Sequence, residues 1–188
     1  MKKLVLAFSL AAIAASAYAM PEVYNIDPNH SAPRFEYNHF GYSTQVHRFD
    51  KTRGKIVFDR EAKTGSVDVA IDAKSVNTGY PLFNERIQEA DFFDTAHYPT
   101  ITFKSTAVRF DGDKPVAVDG ELTVKGVTKP VTLTLTSFEA KLHPMLGKDA
   151  LGANAVTKVL RSDFGMGKFA PFVSDEVTLS IAVEAVEE

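Results

Sequence analysis

The stretch Gly120-Glu121-Leu122-Thr123-Val124-Lys125-Gly126-Val127-Thr128-Lys129-Pro130-Val131-Thr132-Leu133-Thr134-Leu135-Thr136 decides the fold. Leu122 and Val124 alternate with Glu121, Thr123 and Lys125. Past the glycine, Val131, Leu133 and Leu135 alternate with Thr132, Thr134 and Thr136. An apolar side chain at every second position lines one face of a strand and fits no helix. The segment from Lys125 to Pro130 joins the two runs, and Gly126 suits a hairpin connection.

The same period recurs outward from this hairpin. Val67, Val69 and Ile71 alternate with Asp68, Ala70 and Asp72. Val177, Leu179, Ile181 and Val183 alternate with Thr178, Ser180, Ala182 and Glu184. Each run has an apolar face and a mostly polar one, as a half-solvated antiparallel sheet requires. Less regular strands read at 23–27, 34–40, 45–49, 55–59, 100–110 and 153–160. Turn residues separate them at Asp27-Pro28-Asn29, Lys63-Thr64-Gly65, Asp111-Gly112-Asp113 and 144–147. A helix is predicted over 82–90, where Phe83, Ile87 and Ala90 share a face, and a second short turn over 161–169. Many strands and one short helix indicate an all-β antiparallel barrel or sandwich. Patterning leaves the two open, but a barrel of about eight strands is the form that encloses a small ligand.

Residues 1–19 read as a cleaved export signal, with basic Lys2 and Lys3, an apolar run and small residues ending at Ala19. That run is shorter than the roughly 20 apolar residues a membrane helix needs. Residues 20–188 then form a single domain with no interdomain linker. Formal charge is −3, and −5 once Lys2 and Lys3 leave with the signal, which argues against a nucleic-acid partner. There is no cysteine, so disulfides and thiol chemistry are excluded.

The residues that carry chemistry are sparse. His30, His39, His47, His97 and His143 have no compact metal-ligand spacing, although His39 and His47 could meet across a hairpin, and no metal is expected. Asp91 and Asp94 bracket Phe92-Phe93, more simply an aromatic plug with solvated flanks than an acid–base pair. No serine sits in a nucleophile elbow, and no catalytic residue is assigned. Aromatic side chains are the unusual feature, with fourteen Phe, six Tyr and no Trp. They gather near 35–42, 83–93, 101–110 and 164–172, where rings from strand ends and the helix would line a cavity mouth. Shared parity puts Phe35, Tyr37, Val69, Ile71, Phe103, Leu122, Val124, Leu133, Leu135 and Leu179 on the inner face. Phe83, Ile87, Phe92 and Phe93 form a candidate lid, with Phe40 and Phe164 beside it. Arg161 and Asp163 are the polar candidates, either as contacts for a ligand's head group or as an ion pair holding the loop before Gly165.

Several blocks carry a resemblance to a known family: Tyr24-x-Ile26-Asp27-Pro28-x-His30-Ser31, His39-Phe40-Gly41-Tyr42-Ser43, 73–79, Ala90-Asp91-Phe92-Phe93-Asp94, 98–106, 120–131 and Arg161-Ser162-Asp163-Phe164-Gly165-Met166. In this order and spacing the chain resembles the YceI-like polyisoprenoid-binding family over essentially all of residues 20–188. The resemblance implies a lipocalin-like barrel of about eight strands, a periplasmic or secreted location, and a quinone or polyprenyl lipid as ligand, with no further cofactor. It also implies a b561-type membrane cytochrome as a partner, and leaves room for a homodimer. Two departures stand out. Arg86-Ile87 replaces the His-Leu of many relatives, and the cysteines that some relatives carry near Ala140 and Leu151 are absent.

The expected function is therefore that of an exported carrier, not an enzyme. The competing classes are a secreted structural domain with a filled core, and an enzyme acting on a lipid head group.

Overall fold

The computed structural model describes residues 21–188, so the export signal expected over 1–19 lies outside the described residues. Lys125 and Gly126 form the turn of the central hairpin, with φ of 50° and 74°. Positive φ at both central residues matches the right-handed twist of the flanking strands. It sets Val124 opposite Val127 and thereby fixes the register of β8 (Lys114–Val124) against β9 (Val127–Leu142).

The remaining strands are β1 (Glu22–Ile26), β2 (Arg34–His39), β3 (Ser43–Phe49), β4 (Thr52–Asp59), β5 (Thr64–Asp72), β6 (Val76–Asn77), β7 (Thr100–Asp111), β10 (Asp149–Leu160) and β11 (Glu176–Glu187). All neighbours pair antiparallel, in the order β1-β4-β5-β7-β8-β9-β10-β11-β2-β3-β6, and β1 also pairs β11. β11 pairs β1 through Ala185, Val186 and Glu187, and β2 through Thr178, Leu179 and Ser180. Thus β1 and β2 form one broken stave, as do β3 with β4 and β5 with β6. Eight staves close a barrel, and closure leaves no long exposed edge among the described strands. Of the two architectures left open by the sequence, the chain adopts the barrel.

Register shifts interrupt three of the long strands, β7, β8 and β9. The β7–β8 register shifts between Ser105 and Ala107, and the β9–β10 register shifts at Asn154/Ala155. A bulge reverses which parity faces inward. Ile101 and Phe103 point in above the first bulge, and Val108 below it. Val131, Leu133 and Leu135 point in above the second, and Phe138 below it.

The far end of the barrel is filled by a cluster around Tyr24, Phe58, Leu151 and Ala185, with Phe110 and Phe138 packed on it. Tyr24 is fully buried, and its hydroxyl bonds to Glu22 and Asp149. Burial and these carboxylates push its phenol well above the ordinary range. The other end is spanned by residues 73–99 and 161–175.

The helix is shorter than predicted: α1 covers Pro81–Arg86, not 82–90. After Ile87 the amides turn to nearer carbonyls, Gln88 N–H to Glu85 O and Glu89 N–H to Arg86 O. The chain then coils tightly, with Asp94 at φ 47°. This coil, and no continuing helix, turns Phe92 and Phe93 inward. The short turn expected over 161–169 is a single 3₁₀ turn at Arg161–Phe164, ended by Gly165 in the left-handed conformation.

Candidate functional site

Within the barrel lies a cavity of about 450 Å³. That is within the range of small-molecule sites, roughly 300–1,000 Å³. Every apolar residue assigned from the sequence to the inner face or the lid lines it, including Phe40, Phe83, Ile87, Phe92, Phe93 and Phe164. Val69 and Ile71 point in, so the register read for β5 holds. The lid grips the barrel through rings. Phe93 packs edge-on against Phe35 and Phe49, at centroid distances of 5.7 and 5.4 Å, and Phe83 against His47 at 5.7 Å. Ile87 is 5% exposed and joins this cluster.

Arg161 and Asp163 part company. Arg161 lines the cavity and is 9% exposed. Its guanidinium donates to the carbonyls of Ser174 (2.8 Å), Lys168 (2.6 Å), Val173 (2.7 Å) and Met166. It therefore clasps the loop 165–174 through the backbone, and burial lowers its pKa. Asp163 is exposed and lies outside the cavity, in a surface groove beside Lys129, Lys158 and Glu176. The two form no ion pair, because the 3₁₀ turn points Asp163 away while Asp175 caps Ser162. Contrary to the sequence expectation, Asp163 is therefore not placed to contact a head group in the cavity.

His39 and His47 do not meet. His39 stands opposite Ser43, His47 opposite Phe35, four positions along the β2–β3 ladder. His39 lines the cavity mouth. His47 is 5% exposed, its Nε2 is 3.0 Å from the Tyr37 hydroxyl, and its Nδ1 has no partner among the described residues. Burial holds its pKa below the ordinary imidazole value and raises that of Tyr37. Asp91 and Asp94 also separate. Asp94 accepts from His97 at 2.8 Å, whereas Asp91 is bound by Lys168 and Arg86. Those cations, Lys168 first, hold the Asp91 carboxyl below its ordinary range.

Lys168 stands on the loop 165–174 and Asp91 on the lid, so their pair ties the two across the mouth. Lys125 adds to the tie, donating to Ala90 O (2.6 Å) and Gly165 O (3.3 Å). Arg86 lies over the Phe92 ring, 5.3 Å from its centroid. It holds this segment to itself through Phe92, Glu89 and Asp91.

Sequence reasoning missed part of the lining. Val131 shares the parity of Leu133 and was available from the alternation. Phe138 and Val108 follow bulges, which no local pattern announces. Ala155 and Leu151 sit on the weakly patterned β10, where small residues blur the alternation.

The family model for the YceI-like domain matches residues 24–185. Protein YceI of Escherichia coli O157:H7 is 38% identical over 192 residues, covering all of both chains, and that of Salmonella arizonae is 36% identical at the same coverage. Among solved structures, BcnA of Burkholderia cenocepacia aligns with a TM-score of 0.71 at 25% identity, over 85% of this chain and 98% of its own. A Campylobacter jejuni YceI protein aligns at 0.69 and 29% identity, over 80% and 90%. A polyisoprenoid binding domain from Saccharophagus degradans, implicated in plant cell wall breakdown, shares the fold at a TM-score of 0.67 and 19% identity, over 88% and 98%. With the family model spanning the barrel and full-length relatives above 30% identity, the chain belongs to the YceI-like family.

Proposed function

We propose that this protein is an exported, periplasmic carrier that holds the tail of an isoprenoid lipid, of quinone or polyprenyl type, inside the barrel. The observation that carries this reading is the cavity: about 450 Å³, walled almost wholly by aliphatic and aromatic side chains, with few polar groups. A polar small molecule would find few partners there. A tail would find the apolar lining that such sites use for affinity. The polar groups Tyr37, His39, Lys168 and Arg161 lie on its lining, and a head group would rest among them.

Energetics favour carriage over accumulation. Each CH₂ taken from water is worth roughly 0.8 kcal/mol. At about 0.3 kcal/mol per heavy atom, a ~40-carbon tail gives roughly 12 kcal/mol, near nanomolar binding. A bilayer offers a tail the same burial, so transfer between membrane and barrel is close to balanced. That balance suits a shuttle, for which a b561-type cytochrome of the inner membrane is a fitting client.

Titration of the mature protein with ubiquinone and with a polyprenol, delivered from ethanol, tests the reading. One molecule of at least one ligand is expected per chain with submicromolar affinity. Failure of both to bind would return the barrel to a structural role.

A further inference from the structure

Two segments at the cavity mouth hold large rings in solvent. Tyr42 is 90% exposed, Phe172 69%, Phe169 51% and Phe40 50%. The first pair of turn residues is a costly choice. Phe40 and Gly41 have φ of 55° and 76°, and Tyr42 N–H donates to His39 O at 3.0 Å. That turn favours Asn-Gly, and a bulky side chain in the left-handed region is disfavoured. Phe169, at φ 69°, repeats the choice. Backbone preference therefore does not account for phenylalanine at either position, and half of each ring gains no burial.

The two segments form one platform. Phe40 N–H donates to Phe172 O (2.8 Å) and Ser174 N–H to Asn38 O (2.9 Å), while the Phe40 and Phe172 rings stack at 6.4 Å. The chain has 24 Asp and Glu, yet none falls within 37–49 or 164–174. Their two cations, Arg48 and Lys168, are paired to Asp50 and Asp91 outside the segments. A negatively charged protein thus presents a neutral aromatic face at its cavity mouth. Phe40 and Phe169 belong to the face and to the cavity lining at once, so the face is continuous with the route inside.

We propose that this platform docks the barrel, mouth down, on a phospholipid bilayer, with Phe40, Tyr42, Phe169 and Phe172 at the head-group level that aromatic rings favour. The occupant follows from the continuity: a protein seated there would cover the place where the cavity meets solvent, whereas a bilayer both covers the rings and supplies an apolar ligand. The proposal rests on the lipid-carrier reading and adds that exchange occurs by contact with the membrane. Because the face is neutral, docking does not require anionic lipid.

The absence of tryptophan makes the test clean. Phe172→Trp places one reporter on the platform. Added to phosphatidylcholine vesicles, with or without phosphatidylglycerol, its emission should shift to the blue and be quenched by brominated lipid, and the protein should sediment with both vesicle types. The double variant Tyr42→Asp/Phe172→Asp should lose vesicle binding at least tenfold while taking up quinone or polyprenol from ethanol within twofold of the parent. Absence of vesicle binding by the parent, with normal uptake from ethanol, would overturn docking and leave the carrier reading standing. Binding confined to anionic vesicles would overturn the aromatic platform as its cause. A dimer that the double variant splits, with no vesicle binding, would assign the face to a second copy. Vesicle binding without uptake from ethanol would uphold docking and sink the carrier reading.

Discussion

Filling the cavity from its wall separates a ligand site from an ordinary core. Ala155 on β10 is 5% exposed, stands opposite Leu135 and Ile181, and all three line the cavity. Ala155→Phe adds a ring of about six carbons into space that a tail would use. At about 0.3 kcal/mol per ligand heavy atom, six displaced atoms cost about 1.8 kcal/mol, or roughly 20-fold in affinity. The fold should tolerate the ring, because it enters a void. Ala185 is the control: it is fully buried in the far-end cluster and does not line the cavity. Ala185→Phe overpacks that cluster and should cost about 1–3 kcal/mol of stability. Isothermal titration with ubiquinone or polyprenol, beside thermal unfolding of each variant, reads both effects. Equal destabilisation by the two substitutions would mean the cavity is packed in solution. An Ala155→Phe protein with unchanged affinity would place the ligand elsewhere.

Other perturbations address the lid and its supports. Phe83→Asp removes the ring over His47 and puts a carboxylate on the cavity lining, so lipid co-purifying with the protein should fall while circular dichroism is unchanged. Lys168→Ala unties the lid from the loop 165–174, and ligand release followed by stopped flow should quicken. The Asp91 carboxyl is held below its ordinary range, so the tie persists at neutral pH and is lost as pH falls through that lowered value. The parent's release rate should rise there and that of Lys168→Ala should not. His47 is held below its ordinary pKa, so the unfolded chain takes up the proton first. Stability should be full above about pH 6.5 and decline as pH falls through it, and His47→Gln should flatten that decline in urea titrations. A Cβ at Gly120 would stand 2.6 Å from Lys104 O and 2.5 Å from the Phe103 ring, so Gly120→Ala should lower the urea midpoint by shifting β7.

Local pattern reached far into this molecule wherever strands are regular. The alternation from Leu122 to Leu135 carried both the hairpin and the inward direction, because parity in an unbroken ladder is a local property. It stopped at the bulges. Ser137 has the parity of Leu135, yet Phe138 is the side chain that points in, since the bulge is set by pairing with a strand distant in sequence. The lid shows a similar limit. Phe83 and Ile87 share a helical face as their spacing predicts, but the helix ends at Arg86 and Phe92-Phe93 arrive through turns held by long-range packing on Phe35 and Phe49. Arg161 was legible as important and not as what it does. Four backbone carbonyls of one loop are invisible to a reading of side chains, whereas Asp163, its neighbour in sequence, is the partner a reader expects.

Native mass spectrometry of the protein, purified from its native source and followed by solvent extraction, tests the carriage of an isoprenoid lipid most directly. The account predicts one isoprenoid adduct per chain, lost on extraction and identified in the extract. A ligand-free mass that stays unchanged when quinone or polyprenol is offered would contradict it.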